Sequence, residues 1–208
     1  MIIAVDGPAA SGKGTIAKAL ARHYGLPHLD TGLLYRAVGI EVLRSGGDPD
    51  DVADALHACH FADSLLSDPQ LKTETAGTAA SHISVHPQVR EALLERQRAF
   101  AAQPGGAVLD GRDIGTVIAP HAEVKLFVTA SARVRAERRL REMQAMGGAI
   151  AFDDVLADVV ARDERDMARS AAPLRQADDA DLLDTSDLSI DAAVQRAIAL
   201  VEGRTADR

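Results

Sequence analysis

The sequence predicts an α/β fold in which helices cover both faces of a mostly parallel, five-stranded sheet. Short apolar runs alternate along the chain with longer segments of helical periodicity, the order that produces parallel strands joined by helices. The runs carry almost no polar residues, as expected of strands buried on both faces. With 208 residues, of which 47% are hydrophobic, the chain is long enough to bury a core. One domain is therefore expected.

The first elements follow from local signals. Ile2–Val5 is an apolar run that predicts the first strand, and a glycine-rich loop follows it. Helical spacing then runs from Thr15 to Tyr24, where a glycine and a proline end it. Leu26–Leu29 predicts the second strand, and Thr31 is a residue type that often caps the helix expected next.

The middle of the chain is less regular. Residues 45–78 are polar and rich in alanine, which suggests an inserted region rather than core. A clear helix is predicted within residues 86–106, with Val89, Leu93 and Phe100 on one side. Ala107–Leu109 predicts the third strand, which ends at an aspartate-glycine pair.

The last third returns to strands and helices. Residues 124–128 and 182–183 predict strands four and five. Between them, residues 131–143 and 153–169 predict two charged amphipathic helices. A closing helix is expected to begin after Ser189 and to stop at Gly203, with only the last few residues disordered.

Composition narrows the functional classes. The net charge is −8 and the pI about 5.3, which argues against nucleic acid as the main partner. Arginines make up 19 of the 23 cations; they suit phosphate binding, although codon bias explains them equally well. A single cysteine, no charged leader and no apolar run of membrane length predict a cytoplasmic protein without membrane partners.

The first loop, "GPAASGKGT", predicts a phosphate-binding site. It lies between a strand and a helix, where two glycines turn backbone N–H groups toward a phosphate and the helix dipole points at the same place. The lysine adds a point charge. The residues expected to bind the nucleotide are Gly7, Pro8, Ala9, Ala10, Ser11, Gly12, Lys13, Gly14 and Thr15.

One position departs from the common form of this motif. A hydroxyl residue usually follows the lysine and contacts the metal, but here Gly14 stands there and Thr15 comes next. Mg²⁺ binding would then rely more on water and carboxylates. Thr15 and Asp110 are the expected metal contacts, through water, although Asp110 could also be a simple turn or capping aspartate.

Two classes of nucleotide-binding protein fit the loop. A GTPase normally reads guanine with an N-K-x-D sequence and carries a D-x-x-G switch, but the chain has no asparagine and no such switch. A small-molecule phosphotransferase fits better, because three later segments combine carboxylates or hydroxyls with arginine. These segments are "LDTGLLYR", "LDGRDIGT" and "ARDERDMARSAAPL".

Together with the glycine loop, these segments resemble the bacterial cytidylate kinases, a group of nucleoside monophosphate kinases. The resemblance runs from Ile2 to about Gly203, and "GRDIGT" with "RDERD" is its most specific part. It implies a P-loop NTPase fold in one kinase domain, 1–208, that uses ATP and Mg²⁺ to phosphorylate CMP and dCMP. It also implies a core (1–30, 104–130 and 176–204), an acceptor-nucleotide region (31–103) and a lid (131–175). A monomer is expected, but the sequence does not settle the oligomeric state.

The resemblance further assigns roles to individual residues. Thr31 and Arg36 are expected near the acceptor phosphate, and Arg112 is a further phosphate contact. Ser81, Arg90 and Asp113 are expected near the base. Residues expected at ribose, base or phosphate are Arg162, Asp166 and Arg169. Those expected to act in catalysis are Lys13, Arg112, Arg162 and Arg169.

The chemistry of cytosine agrees with these roles. Asp113 and Ser81 offer acceptors to its amino group, whereas uracil would place its O4 acceptor against a carboxylate. A polar group left unpaired costs about 1–3 kcal/mol, which predicts a preference for CMP over UMP. The remaining alternatives are a related kinase acting on UMP, shikimate or a coenzyme precursor, and a non-enzymatic ATP-binding module. Arg162, Asp166 and Arg169 also have the spacing of a solvated helix face.

No general base is needed, because a phosphate monoester is largely dianionic at neutral pH. Catalysis should rest on positioning and charge neutralisation under a lid that excludes water. The expected lid carries nine arginines around a hinge at Gly147-Gly148. Less certain phosphate contacts there are Arg138, Arg139 and Arg165.

Two further features are of lower weight. A zinc site could be imagined from His57, Cys59, His60, His82 and His86, but no second cluster with zinc-finger spacing accompanies them. Thr129 stands where relatives often carry an aspartate, a change that either alters a support near Asp113 or has no effect.

Overall fold

The computed structural model describes residues 1–145, 147 and 150–206, and over these residues it contains the predicted five-stranded parallel sheet. The strands are β1 (Ile2–Asp6), β2 (His28–Asp30), β3 (Ala107–Gly111), β4 (Val124–Thr129) and β5 (Asp181–Asp184). The helices are α1 (Lys13–Tyr24), α2 (Gly32–Arg44), α3 (Val52–His57), α4 (Glu74–Ile83), α5 (Pro87–Ala101), α6 (Ala132–Ala145), α7 (Phe152–Ala168) and α8 (Ile190–Ala206).

The strand order, β2-β3-β1-β4-β5, determines where a ligand can bind. β1 lies at the centre, with β3 on one side and β4 on the other. In an open parallel sheet of this kind the crevice outside the carboxyl ends of the central strands is the usual ligand site. Here that crevice receives the loops that follow β1, β2 and β3.

Successive side chains of β1 point to opposite faces of the sheet and belong to two separate hydrophobic cores. Ile3 and Val5 pack with residues of α1 and α8 on one face of the sheet. Ala4 packs on the other face, together with Leu109 and Ile114. Because all of these residues are fully buried, the sheet is covered on both faces, which confirms the α/β prediction.

A third core holds the region between β2 and β3 together. It is built from α2, α3, α4 and the start of α5, with Leu34, Val38 and Leu93 among its buried members. Gly39 of α2 lies so close to α4 that an added Cβ would be 2.8 Å from the Cβ of Ala79. Small residues therefore allow these two helices to approach closely.

The weak sequence pattern of residues 45–78 does not mean irregular structure. The segment forms α3 and three short 3-10 turns, and α4 begins within it at Glu74. Thr73 caps α4 by accepting a hydrogen bond from the N–H of Ala76 at 3.3 Å. Periodicity does not reveal α4 because its buried positions are mostly alanine, glycine and serine.

Two predicted helix ends differ from the structure. Thr31 does not cap α2: its backbone is already helical, and its hydroxyl donates to the carbonyl of Asp110 at 2.9 Å. A cap requires an extended backbone at that position. α8 does begin after Ser189, whose hydroxyl accepts from the N–H of Ala192, but it passes Gly203 and ends at Ala206. An added Cβ at Gly203 would meet no atom within 4 Å, so this glycine marks no close contact.

Thr129 ends β4 on the side of the sheet that faces β5. It is in register with Asp184, and its carbonyl accepts a hydrogen bond from the N–H of Thr185 at 2.8 Å. β1 separates β4 from β3, which leads to Asp113. The structure therefore links Thr129 to the β5 edge rather than to Asp113.

No helix in the described ranges is both long and apolar enough to span a bilayer.

Candidate active site

The glycine loop wraps the carboxyl end of β1 and runs directly into α1. Gly7 passes so close to β4 that an added Cβ would be 1.9 Å from the carbonyl oxygen of Val128. Gly12 has φ 90°, in the left-handed region, and its carbonyl accepts from the N–H groups of Thr15 and Ile16. The loop thus brings the N-terminus of α1 to the crevice, where its unpaired N–H groups favour an anion.

Lys13 is the cation that the loop places in this crevice. Its Nζ donates to the carbonyl of Pro8 at 3.4 Å, and it forms no ion pair with the described residues. Burial, reinforced by the nearby Arg112 charge, lowers its pKa to about 8. A lysine held in this state gains from any anion that binds beside it.

Two aspartates from neighbouring strands lie beside the loop. Asp30 ends β2 and is in register with Asp110 of β3. Burial raises the pKa of Asp30, and the Asp110 charge raises it further. A Cβ added at Gly14 would lie 3.7 Å from Oδ2 of Asp110, so the missing side chain leaves space between the loop and this carboxylate.

These residues offer oxygen ligands of the kind that Mg²⁺ prefers. Mg²⁺ is usually bound by one or two carboxylates, with waters and substrate phosphates completing its shell. Asp30, Asp110 and Thr15 all line the same cavity as Lys13. Within the described ranges no cluster of three or more His, Cys, Asp or Glu side chains could bind a metal ion by itself. The donor set therefore fits a magnesium ion that arrives with a nucleotide.

Arg36 and Thr31 extend the crevice toward α2. Arg36 donates to the carbonyls of Leu71 and Thr73, at 2.8 and 3.1 Å. These bonds hold its guanidinium between α2 and the start of α4. Both predicted residues line the crevice, but the Thr31 hydroxyl is used in its bond to Asp110.

A buried ion pair stands where base contacts were predicted. Arg90 donates to Oδ2 of Asp113 at 2.5 Å, and both side chains are less than 10% exposed. The guanidinium of Arg90 also lies 5.5 Å from the centre of the Tyr35 ring. α5 and the loop after β3 therefore meet here.

Asp6, which the sequence did not single out, supports Asp113. Its two carboxylate oxygens accept from the N–H groups of Ile114 and Gly115, both at 2.8 Å. These N–H groups open the π-helical turn Ile114–Ile118, which directly follows Asp113. Burial raises the pKa of Asp6 to about 7, against the effect of the two hydrogen bonds. The glycine-loop strand therefore positions the predicted base-binding loop.

Ser84, rather than Ser81, lines the cavity beside this pair. Ser84 Oγ accepts from Arg169 at 2.7 Å and donates to the carbonyl of Ser81 at 3.1 Å. The hydroxyl of Ser81 instead accepts from Arg165 Nε at 3.2 Å. Ser84 lies three residues further along the chain and so on the same side of the α4 end as Ser81, which the sequence could have indicated.

A carboxylate between arginines forms the next part of the site. Asp166, on α7, is 1% exposed and accepts from Arg112 Nε at 2.7 Å and from Arg169. Burial alone would disfavour its charge, but Arg112 and Arg169 lower its pKa. Asp166 is therefore ionised, and the predicted helical face points into the protein rather than into solvent.

Arg162 faces the same crevice without a comparable partner. Its Nε is buried and has no hydrogen-bond partner among the described residues. Burial, with the charge of Arg112 beside it, lowers its pKa to about 9. An unsatisfied buried guanidinium is costly, so this group is one that an anionic ligand would stabilise.

The crevice consists of three connected spaces. The central cavity, about 330 Å³, is lined by Lys13, Asp110, Arg36, Arg112 and Arg162, among others. The side cavity, about 60 Å³, opens beside it toward Arg90, Asp113 and Asp166. The outer cavity, about 580 Å³, lies on the other side of the glycine loop. It is lined by Arg138, which the sequence suggested as a phosphate contact, and by residues that the sequence did not suggest: Thr185, Ser186, Leu188 and Ile190.

The α6–α7 hairpin is joined to the loop by Arg135. This buried arginine donates to both carboxylate oxygens of Asp163, at 2.9 and 2.5 Å, and to the carbonyl of Ala9 at 3.2 Å. Arg138 donates to Ser11 and Thr185, which places it in the outer cavity. The hairpin base is thus hydrogen-bonded to the outside of the glycine loop.

Two other hairpin arginines, Arg139 and Arg165, reach the region between β2 and β3. Arg139 lines the central cavity and forms an ion pair with Glu74, the first residue of α4. Arg165 contacts Ser81 and lines neither the central nor the side cavity. Of the expected hinge, Gly147 has φ 86°, while Gly148 lies outside the described residues.

The histidines considered for zinc have other contacts. Nδ1 of His82 lies 2.8 Å from Asp50, and His86 Nε2 donates to the carbonyl of Pro49 at 3.0 Å. His60 lies against the carbonyl of His57, and the thiol of Cys59 donates to Ala55. His82 and His86 thus contact the loop before α3, whereas Cys59 and His60 contact residues of their own segment, so these side chains have separate partners.

Comparison of the fold gives likenesses at low sequence identity. An uncharacterised protein from Eubacterium ventriosum is 17% identical, with a TM-score of 0.58 and 98% of each chain covered. A gluconokinase from Sinorhizobium meliloti is 17% identical, with a TM-score of 0.53 and 99% and 93% of the two chains covered. At this identity they support the α/β fold and nothing more specific.

Comparison of the sequence is much more specific. The family model described as cytidylate kinase matches residues 3–203. Cytidylate kinases from Xanthobacter autotrophicus and Rhodopseudomonas palustris strain HaA2 are 60% and 58% identical, each covering the whole chain and 100% and 99% of the relative. One from a Caulobacter species is 55% identical over 97% of this chain and 94% of its own length. The chain therefore belongs to the cytidylate kinase family.

Proposed function

We propose that the protein is a nucleoside monophosphate kinase that transfers the γ-phosphoryl group of ATP to CMP and dCMP, giving CDP and dCDP. The observation that carries the proposal is the pair of unneutralised cations in the central cavity. Lys13 and Arg162 both face this space, both have lowered pKa values, and neither forms an ion pair in the described part of the chain. A transferring phosphoryl group would supply the missing negative charge.

The two flanking cavities suit the two nucleosides. ATP would lie with its phosphates on the glycine loop and its adenosine in the outer cavity, which has the larger volume and the apolar side chains of Leu188 and Ile190. CMP would lie in the side cavity, with its phosphate directed toward the central cavity. The two phosphates would then meet beside Lys13.

Recognition of cytosine would use the Arg90–Asp113 pair. Asp113 Oδ2 is held by Arg90. The carboxylate would accept from the cytosine amino group, while Arg90 would donate to the ring acceptors. Ser84 would take the role expected of Ser81, because it is the serine that lines this cavity. Asp166 would accept from a ribose hydroxyl, and the 3′ hydroxyl would suffice in dCMP.

The residues near the loop would bind Mg²⁺ with the ATP phosphates. Asp110 and Thr15, together with Asp30, are the oxygen donors available in the central cavity. The ion would neutralise phosphate charge and fix the geometry of transfer. The sequence predicted only Thr15 and Asp110 as metal contacts, and Asp30 is added to them here.

The chain's own residues would act by position and charge. The acceptor phosphate needs no base, because its second pKa is about 6. Arg36, Arg112 and Arg169 would orient that phosphate, and Lys13 and Arg162 would stabilise charge on the group in transit. The α6–α7 hairpin would close over both nucleotides and exclude water, with Arg139 of α6 and Arg162 of α7 lining the central cavity.

The proposal is tested by coupled ADP formation with CMP, dCMP, UMP and shikimate as acceptors. CMP and dCMP should give turnover far above the ATP-only background, and UMP much less. Turnover with UMP or shikimate but none with CMP would refute the proposed acceptor. ATP binding without turnover on any acceptor would indicate a non-enzymatic module. The expectation of a cytoplasmic monomer without a nucleic-acid partner stays a prediction, which light scattering would test for the oligomeric state.

A further inference from the structure

His28 contacts Asp110 from the neighbouring strand. Its imidazole Nε2–H donates to Oδ1 of Asp110 at 2.7 Å. The two side chains are 16% and 3% exposed, so the bond is largely shielded from water. His28 itself lines neither the central nor the side cavity. Any effect of this histidine on the reaction must therefore pass through the aspartate.

The other contacts of Asp110 leave its carboxylate to be oriented by His28. The N–H and the hydroxyl of Thr31 both donate to the backbone carbonyl of Asp110, at 3.0 and 2.9 Å, and so fix the main chain. They do not touch the carboxylate. Among the described residues, His28 is the hydrogen-bond donor to that group. It therefore determines which carboxylate oxygen faces the loop.

The oxygen that remains faces the proposed metal position. Oδ2 points toward Gly14, 3.7 Å from where a Cβ would be. Lys13 follows the same loop, and both residues line the central cavity with Asp110. If Oδ1 were released, the carboxylate could turn toward the surrounding cations, and Oδ2 would no longer be held in this direction.

We propose that His28 is a positioning residue, which holds Asp110 through Oδ1 so that Oδ2 is presented to the Mg²⁺–phosphate end of the central cavity. The inference rests on the proposed function. Outer hydrogen-bond partners of metal ligands commonly change metal affinity by about 10- to 100-fold when removed. His28 does not touch a substrate and takes no part in proton transfer.

The test compares the Mn²⁺ affinity of three variants, which electron paramagnetic resonance measures in the presence of a non-hydrolysable ATP analogue. His28→Leu removes the hydrogen-bond donor, and His28→Asn has an amide N–H on a side chain too short to reach Asp110. Each variant should weaken Mn²⁺ binding to the enzyme–nucleotide complex about 10-fold. His28→Gln keeps an N–H at the distance of Nε2 and should restore affinity to within about threefold. His60→Leu, on the exposed side of the chain, is the matched control and should change nothing.

Non-additivity tests the route through Asp110. Asp110→Asn should weaken Mn²⁺ binding, and adding His28→Leu should cause no further loss. Unchanged Mn²⁺ affinity in both His28→Asn and His28→Leu would overturn the inference, as would fully additive losses in the double variant. If His28→Leu fails to fold, the contrast between His28→Asn and His28→Gln decides the matter alone.

The two proposals can fail separately. If the unmodified protein phosphorylates CMP and the His28 variants bind Mn²⁺ normally, only the role of His28 is wrong. If the unmodified protein shows no turnover with CMP, the proposed function is wrong whatever the variants do.

Discussion

Replacing Asp113 by asparagine should change which base the enzyme accepts. The amide keeps one oxygen, and the adjacent guanidinium of Arg90, now 2.5 Å from Oδ2, would take it. The NH₂ group would then face the base. It would meet the cytosine amino group donor to donor, whereas it could donate to O4 of uracil.

The size of the effect follows from the hydrogen bonds exchanged. CMP loses a bond to a charged acceptor, worth about 1.5–3 kcal/mol, and UMP gains a neutral bond worth about 0.5–1.5 kcal/mol. The ratio of kcat/KM for CMP over UMP should therefore fall by about 30- to 2,000-fold, which corresponds to about 2–4.5 kcal/mol. Because Asp113 lines only the side cavity among the three spaces, the KM for ATP should stay within about twofold.

The assay is coupled ADP formation with each acceptor at saturating ATP. Asp63→Asn is a suitable control, because Asp63 pairs with Arg96 on the surface, away from the three cavities. It should leave the ratio unchanged. Asp113→Ala should also lower the ratio, but it leaves the buried charge of Arg90 unpaired and should cost stability. Equal losses for CMP and UMP in Asp113→Asn, with the ratio unchanged within threefold, would show that Asp113 does not face the base.

Three further predictions concern the loop and the hairpin. The pKa of Lys13 is about 8 in the free protein and should rise when a phosphate binds, so ATP binding at pH 8.5 should take up protons, which calorimetry in buffers of different ionisation enthalpy would measure. Lys13→Met should abolish most of this proton uptake. It should also raise Tm at pH 7, because the fold disfavours the charged lysine. Uptake that is equal in the variant would contradict this origin. Asp163→Asn should break the buried ion pair with Arg135 and lower the free energy of unfolding by about 3 kcal/mol, which corresponds to a fall in Tm of about 6–12 °C by calorimetry. The CMP/UMP ratio of kcat/KM should not change, and a Tm shift under about 2 °C would contradict the prediction. Gly14→Ala should fold, because its Cβ would be 3.7 Å from Asp110, yet weaken Mn²⁺ binding, whereas Gly7→Ala should not give a folded protein, because its Cβ would be 1.9 Å from the Val128 carbonyl; similar melting curves for both would refute the steric argument.

The core elements can be predicted from the sequence because their signals are local. β1 begins with four consecutive apolar residues, and α1 ends at Gly25, whose φ is 64°. α4 was not predicted as a helix because its buried face is made of small residues, which give little hydrophobic periodicity. The predicted cap at Thr31 is wrong because the Thr31 hydroxyl donates to the carbonyl of Asp110 on β3, and the sequence does not show that a residue 79 positions away lies beside it.

The site divides in the same way. The glycine loop and the arginine–aspartate segments could be predicted because motif spacing reports their chemistry directly. His28 and Asp6 could not, because each acts through a partner that only the folded sheet brings near. The outer cavity was missed for a similar reason, since Thr185 and Ile190 have ordinary surroundings in the sequence.

The carboxylates that pair with the site's arginines also bear on competition from small anions. Asp166 already occupies Arg112 and Arg169, and Glu74 already occupies Arg139. A free inorganic phosphate would have to displace these tethered groups, whose effective concentration beside the arginines is very high. A nucleotide differs because its base and ribose bring additional contacts that hold the phosphate in place while the exchange occurs. The resident carboxylates thus act as built-in competitors, which tie the use of these arginines to the arrival of a whole nucleotide.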